Sequence, residues 1–245
     1  MAKMKLTSHI KFDLKFDEEK LQKDLSVLLE NSWIPHFNKN NYEGEWQAIP
    51  LYAPDGDQKN IFALGNDKSL KPTPLLSQCP YLEEVINSFK FPILSARILK
   101  LGVGVHIKPH QDHELGYEDN NFRIHIPIIT NEHVRFILNG ERLIMLPGEC
   151  WYTNVNYTHS VSNKGDIARI HLVIDGERNA WSDQLFFSKA PKESFVKSPA
   201  KMTENTIIRT IEELKRSGLD KKSELVKNLE VDLKKLRSSI KNAPR

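Results

Sequence analysis

The stretch "FILNGERLIML" (residues 136–146) places Asn139-Gly140 between two apolar runs, the strongest short-range signal for a β-hairpin. A two-residue loop of that kind needs positive φ at both positions, which asparagine and glycine tolerate. Other segments agree with it. "ILSARILKL" (93–101), "FRIHIPIIT" (122–130), "CWYTN" (150–154) and "ARIHLVI" (168–174) are short, rich in β-branched and aromatic residues, and bounded by turn residues such as "SNKGD" (162–166). "HVRFIL" and "ERLIML" form the two arms of the hairpin. Strands this short and this regularly spaced predict a barrel or double-sheet jelly roll over residues 91–187.

On both sides the periodicity becomes helical. "FDEEKLQKDLSVLLEN" (16–31) spaces Leu21, Leu25, Leu28 and Leu29 as one stripe behind an acidic first turn from Asp17. "CPYLEEVINSF" (79–89) repeats the pattern with Leu82, Val85, Ile86 and Phe89, while "APDGDQKN" and "KPTP" read as loops. After the proline-containing link "KAPKESFVKSPAK" (189–201) come two amphipathic stripes. The first holds Ile207, Ile208, Ile211 and Leu214 between Thr203 and Gly218; the second holds Leu225, Leu229, Leu233, Leu236 and Ile240. The expected organisation is mainly β with flanking helices. A domain at 1–188, with N-terminal helices and its core at 91–187, precedes a C-terminal helical hairpin at 189–245.

Charge follows the same division. Residues 189–245 carry 15 basic and 8 acidic side chains, a net +7, which leaves −4 on the first 188. A modest basic tail does not make a nucleic-acid surface, and no nucleic-acid partner is expected. The tail's apolar stripes need a partner, which leaves open the barrel, the N-terminal helices, or a homodimer through the C-terminal helices. The 39% hydrophobic content suits a globular protein with a real core. No segment has an apolar run long enough to cross a bilayer, and Cys79 and Cys150 form neither a disulfide framework nor a zinc pattern. The expected setting is the reducing cytoplasm, without a membrane partner.

Seven of the nine histidines fall between His106 and His171. Residues two apart on a strand point to one side, so His110 and Asp112 can face one point together. Two neighbours cannot fix a metal alone, and His159, at the head of a later strand, supplies a third ligand. His-x-Asp with a distant histidine is the two-histidine, one-carboxylate set that leaves positions open on Fe(II). Open positions suit a chelating 2-oxo acid together with O2. The far carboxylate of 2-oxoglutarate needs a cation, and Arg169, ten residues past His159 on the next strand, is placed for it. Its planar fork binds a carboxylate bidentately. His9, His36 and His133 read as structural or surface groups, and His106 and His113 have no assigned role.

"ARILKLGVGVHIKPHQDHELG", "FRIHIPIITN", "GECWYTNVNYTHSVSN" and "ARIHLVID" together resemble the aspartyl/asparaginyl β-hydroxylase family of Fe(II)/2-oxoglutarate dioxygenases, whose bacterial members include proline cis-hydroxylases. The resemblance covers roughly residues 80–181. It implies a double-stranded β-helix (jelly-roll, cupin-like) core, with His110, Asp112 and His159 as iron ligands and Arg169 as the 2-oxoglutarate anchor. It further implies that Arg123 and His125, on one strand face, help bind carboxylates, and that Arg97 matches an arginine able to hold a substrate carboxylate. His171 shares a face with Arg169 and is expected behind it in the pocket. Trp151 is expected either on the pocket wall or in plain core packing.

The implied activity is hydroxylation of an unactivated C–H bond of a small amino acid or amino-acid derivative, with succinate and CO2 as co-products. Three alternatives stay open at this point. They are a peptidyl Asp/Asn β-hydroxylase, a cupin-type metalloenzyme that does not use 2-oxoglutarate, and a binding module with structural histidines.

Overall fold

The computed structural model describes residues 5–29, 33–36, 42–61, 69–197, 204–216, 226–231 and 233–234 of the 245. In chain order the strands are β1 (His9–Lys15), β2 (Ile34–Pro35), β3 (Tyr42–Glu43), β4 (Trp46–Pro54), β5 (Leu70–Pro72), β6 (Ile93–Leu101) and β7 (His106–His110). They continue with β8 (Asn121–Ile129), β9 (Val134–Leu138), β10 (Glu141–Leu143), β11 (Glu149–Thr153), β12 (His159–Asn163) and β13 (Arg169–Glu177). The helices are α1 (Glu18–Leu29), α2 (Pro80–Ser88), α3 (Ala180–Phe187) and α4 (Glu204–Arg216).

Two sheets face each other. The larger runs β1-β11-β8-β13-β6-β4-β2, with β5 also on β4, and the smaller runs β10-β9-β12-β7-β3. This is a double-stranded β-helix. Alternation along the large-sheet strands decides which side each residue serves. Phe122, Ile124, Ile126 and Ile128 of β8, with Leu172 and Ile174 of β13, form one face, in a core shared with Leu21, Leu25 and Leu28 of α1 and Leu82, Val85 and Ile86 of α2. Each such side chain contributes roughly 1.5–3 kcal/mol on burial. The residues between them, Arg123 and His125 on β8 and Arg169, His171 and Asp175 on β13, turn toward the small sheet. There Trp46, Leu101, Ile107, Phe136, Leu138 and Val161 pack as a second, inter-sheet core.

The predicted hairpin is present. Asn139 and Gly140 take φ of 52° and 83° between β9 and β10. Its second arm is shorter than expected, because β10 ends at Leu143 and Ile144 and Leu146 lie exposed. The buried Glu149 carboxylate accepts the Leu146 N–H at 2.9 Å and turns the chain toward β11. Gly148 completes that turn at φ 74°, where an added Cβ would sit 2.3 Å from the Phe16 carbonyl oxygen. Part of the "KPTP" segment, expected as loop, is strand β5. The barrel also reaches further toward the N-terminus than 91–187, since β1 pairs with β11 and β4 with β6. Of the expected α1 stripe, Leu29 is exposed.

The described residues divide into two compact units, 1–196 and 197–245. The first extends past the expected boundary at 188 because Phe195 is buried beside Tyr117 and Phe186. In the second, Ile207 and Ile211 of α4 pack with Val226, Leu229 and Leu233, so the two predicted stripes cover each other. Thr203, Gly218, Leu225, Leu236 and Ile240 lie outside the described residues.

Candidate active site

His110 ends β7 and His159 begins β12, and the two are direct partners across the antiparallel ladder. Both rings are held the same way. His110 Nδ1 lies 2.8 Å from the Lys108 carbonyl oxygen and His159 Nδ1 lies 3.0 Å from that of Tyr157. A carbonyl only accepts, so each Nδ1 carries a proton and Nε2 is the ring nitrogen left for a metal. Burial, and then the neighbouring His110, bring the His159 pKa down to about 4, which keeps it neutral and able to ligate.

Asp112 lies beyond the end of β7, so shared strand direction is not what aims it. Its backbone N–H donates to the Val155 carbonyl at 2.9 Å, clasping the loop that carries it to the loop before His159. Its Oδ2 accepts from Arg123 Nη1 at 2.7 Å, and its Oδ1 lies 3.8 Å from His110 Nε2. Burial raises its pKa, but Arg123 and the two histidines outweigh that and hold it below the usual carboxylate range. Candidate ligand atoms of His110, Asp112 and His159 all lie within 4.8 Å of one another. Two imidazoles and one carboxylate at that spacing form a donor set that fits a divalent first-row metal.

Arg169 is 3% exposed, and no carboxylate among the described residues pairs with it. Burial alone draws its pKa down to about 9, which leaves it charged at neutral pH. Its Nη2 donates to His171 Nδ1 at 2.8 Å, while its Nε has no partner. His171 must then be neutral, and burial followed by the adjacent Arg169 holds its pKa well below the usual histidine value. His125 is buried with both ring nitrogens unpartnered. A cavity of about 210 Å³ is lined by His110, Asp112 and His159 together with Arg169, His125 and Arg97. A buried cation without a counter-ion costs several kcal/mol, so this cavity is built to take an anion.

The other predicted residues divide. Arg97 lines the cavity, with Nη2 on Asp175 at 2.8 Å, Nη1 on the Ile61 carbonyl at 3.1 Å and Nε unpartnered. Arg123 lines it too, but spends three donors on Asp175 and Asp112. His171 stands behind Arg169 and lines a neighbouring cavity. Trp151 is not on the pocket wall: it packs in the inter-sheet core and donates Nε1–H to Glu149 at 2.9 Å.

Two groups escaped the sequence reading, one lining the cavity and one holding two of its arginines. His36, read there as structural, lines the cavity and stacks on Trp46 with ring centroids 3.5 Å apart. Burial, and then Arg97, draw its pKa down to about 3. No local signal marks it, since it follows a two-residue strand 74 positions before His110. Asp175, 1% exposed, binds both Arg97 and Arg123. It was legible, because the alternation that pairs Arg169 with His171 continues through Val173 to Asp175.

A family model described as Aspartyl/Asparaginyl beta-hydroxylase matches residues 15–179. Among curated proteins, the chain is 27% identical over 185 residues to an L-proline cis-4-hydroxylase of Rhizobium meliloti (strain 1021), covering 74% of this chain and 64% of that protein. It is 28% identical over 198 residues to L-proline cis-3-hydroxylase 1 of a Streptomyces species, covering 75% of this chain and 67% of the relative. The match therefore spans about two thirds or less of these relatives' own length. Among solved structures, an oxidoreductase of the 2OG-Fe(II) oxygenase family from Burkholderia pseudomallei superposes with a TM-score of 0.50 at 14% identity, over 70% of this chain and 86% of the other. That likeness is one of fold.

Proposed function

This chain belongs to the aspartyl/asparaginyl β-hydroxylase family, and from that premise we propose that it is an Fe(II)/2-oxoglutarate-dependent dioxygenase that hydroxylates a free amino acid or a close derivative. One observation carries the reading: Arg169, a buried cation without a carboxylate partner among the described residues, lines the same cavity as the His110–Asp112–His159 donor set. A metal centre and a separate unsatisfied cation together call for a ligand with a chelating end and a distal carboxylate. 2-Oxoglutarate has both.

In this reading His110, Asp112 and His159 hold Fe(II). Iron held there would supply, with 2-oxoglutarate and O2, the oxidising power for C–H hydroxylation, the 2-oxoglutarate ending as succinate and CO2. Arg169 would take the distal carboxylate of the cosubstrate, and His171, accepting from Nη2, fixes the plane of the guanidinium. His125, neutral and unpartnered, is available for a further hydrogen bond to a carboxylate. Arg97 keeps a free buried Nε for a substrate carboxylate. Burial of these groups excludes water, which strengthens each contact and orients the reacting C–H bond. The relatives act on L-proline by name, and a cyclic or small amino acid with a free α-carboxylate is the substrate class proposed here.

The test is substrate-stimulated succinate release by anaerobically reconstituted protein, screened over L-proline, the other amino acids and short Asp/Asn peptides. Turnover with a free amino acid is expected. Turnover confined to end-blocked peptides would make it a peptidyl hydroxylase, and turnover without 2-oxoglutarate would make it a different metalloenzyme. A cytoplasmic location and a homodimer through the tail complete the proposal, the latter checked by light scattering. No helix among the described residues is long and apolar enough to cross a membrane.

A further inference from the structure

We infer that Asp175 is the positioning residue of the metal centre: acting through Arg123, it orients Asp112 and leaves one oxygen of that carboxylate free for the metal. The inference rests on the reading of His110, Asp112 and His159 as ligands. Asp175 itself is not among them.

The geometry runs in one connected chain. Asp175 is 1% exposed near the end of β13 and holds the Arg123 guanidinium bidentately, Oδ1 to Nε at 2.7 Å and Oδ2 to Nη2 at 3.1 Å. A guanidinium is planar, so two contacts on one edge set the direction of its remaining nitrogen. That nitrogen, Nη1, meets Asp112 Oδ2 at 2.7 Å. Only Oδ2 is engaged by Arg123, and Oδ1 is left 3.8 Å from His110 Nε2. Asp175 is pinned in turn by Arg97 Nη2 at 2.8 Å and by the Ser95 hydroxyl at 2.9 Å.

Asp112 needs this support because it sits in a loop, past the last residue of β7, where no ladder fixes its side chain. Arg123 alone would not supply it. An arginine with a single buried carboxylate nearby closes on it bidentately, and here that would occupy both Asp112 oxygens and compete with a cation. Asp175 prevents this by taking the other edge of the guanidinium and sharing its charge. The result is an Asp112 that is held yet half free.

The experiment titrates the metal-free full chain with Co(II), reading affinity by calorimetry and geometry by the visible absorption of the bound ion. Asp175→Asn is expected to weaken Co(II) binding about 10–100-fold, the usual effect of losing a group that orients a ligand, and to change the spectrum. In an Asp112→Asn background the same substitution should have no further effect, because its action passes through Asp112. Asp175→Glu keeps the charge but moves Arg123 by one methylene, and should bind Co(II) more weakly than wild type and more tightly than Asp175→Asn. If Asp175→Asn does not fold, the Asp175→Glu affinity and spectrum decide the matter. Wild-type affinity and spectrum in the folded variants would overturn the inference. So would an equal loss in the Asp112→Asn background, which would mark a general structural role. Failure of the wild-type chain to bind Co(II) would instead overturn the metal centre, and this inference with it.

Discussion

His110 and His159 stand opposite each other on adjacent antiparallel strands, their ring centroids 4.2 Å apart. The spacing of two candidate ligands is thus set largely by the sheet, in which neighbouring strands lie about 5 Å apart. Removing one ring leaves the ladder intact. His110→Ala and His159→Ala are expected to lose bound Fe(II) and turnover while keeping a near-normal thermal melt. Metal analysis beside calorimetry checks this, and full iron content in both variants would contradict it. Asp112→Ala should also lose activity, and it frees an Arg123 nitrogen that now has a carboxylate.

Arg169 offers two separate readouts. Arg169→Ala should raise the dissociation constant for 2-oxoglutarate by the equivalent of about 2–5 kcal/mol, the usual cost of removing one partner of a desolvated charge pair. Arg169→Lys should recover part of it, because an ammonium lacks the bidentate geometry. Arg169→Met should melt higher than wild type in the absence of ligand, since it removes a buried charge with no counter-ion. Unaltered 2-oxoglutarate binding in the alanine variant would show that another group holds that carboxylate.

The Asp175 carboxylate sets an acid limit on stability. Burial alone would raise its pKa, but Arg123 and Arg97 more than offset this and hold it well below the usual carboxylate range. A carboxyl whose pKa is depressed on folding stabilises the fold fully above its unfolded value, about 3.9, and loses that contribution as pH falls toward the folded value. Asp175→Asn should therefore cost about 3–5 kcal/mol at neutral pH by leaving the buried Arg97 and the half-buried Arg123 short of a partner. Its deficit relative to wild type should stay constant from pH 7 to about 5 and narrow only below about 4. Denaturant melts across that range test the direction.

A chain ending at Val196 should fold and bind 2-oxoglutarate. A chain ending at Ser188 should be markedly less stable. The shorter one loses Phe195, 1% exposed, with its ring centroid 5.2 Å from that of Tyr117. Deleting a buried phenylalanine side chain costs about 3–5 kcal/mol. Melting temperatures of the two truncations, with a 2-oxoglutarate titration of each, separate the two cases.

Period-two alternation, the Asn139-Gly140 turn and the His-x-Asp spacing are local properties. They point to a barrel or double-sheet jelly roll and to His110, Asp112, His159 and Arg169 as candidates, although Asp112 lies past the end of the strand expected to aim it. Alternation also puts Arg123 with His125 and Arg169 with His171 on shared strand faces, and the same alternation reaches Asp175. What alternation cannot supply is the partner across the gap. Whether Arg123 binds a ligand or braces Asp112 depends on which side chains the fold brings to its two edges, and those come from β13 and from the loop after β7. His36 comes to the cavity from directly after β2, at the edge of the large sheet, and Trp151 packs in the inter-sheet core with its Nε1–H donated to Glu149. β1 and β4 are barrel strands by their pairing with β11 and β6, partners far away in the sequence. Backbone preferences are written residue by residue, whereas hydrogen-bond partners and counter-ions are chosen by distance in three dimensions, and that choice belongs to the tertiary structure.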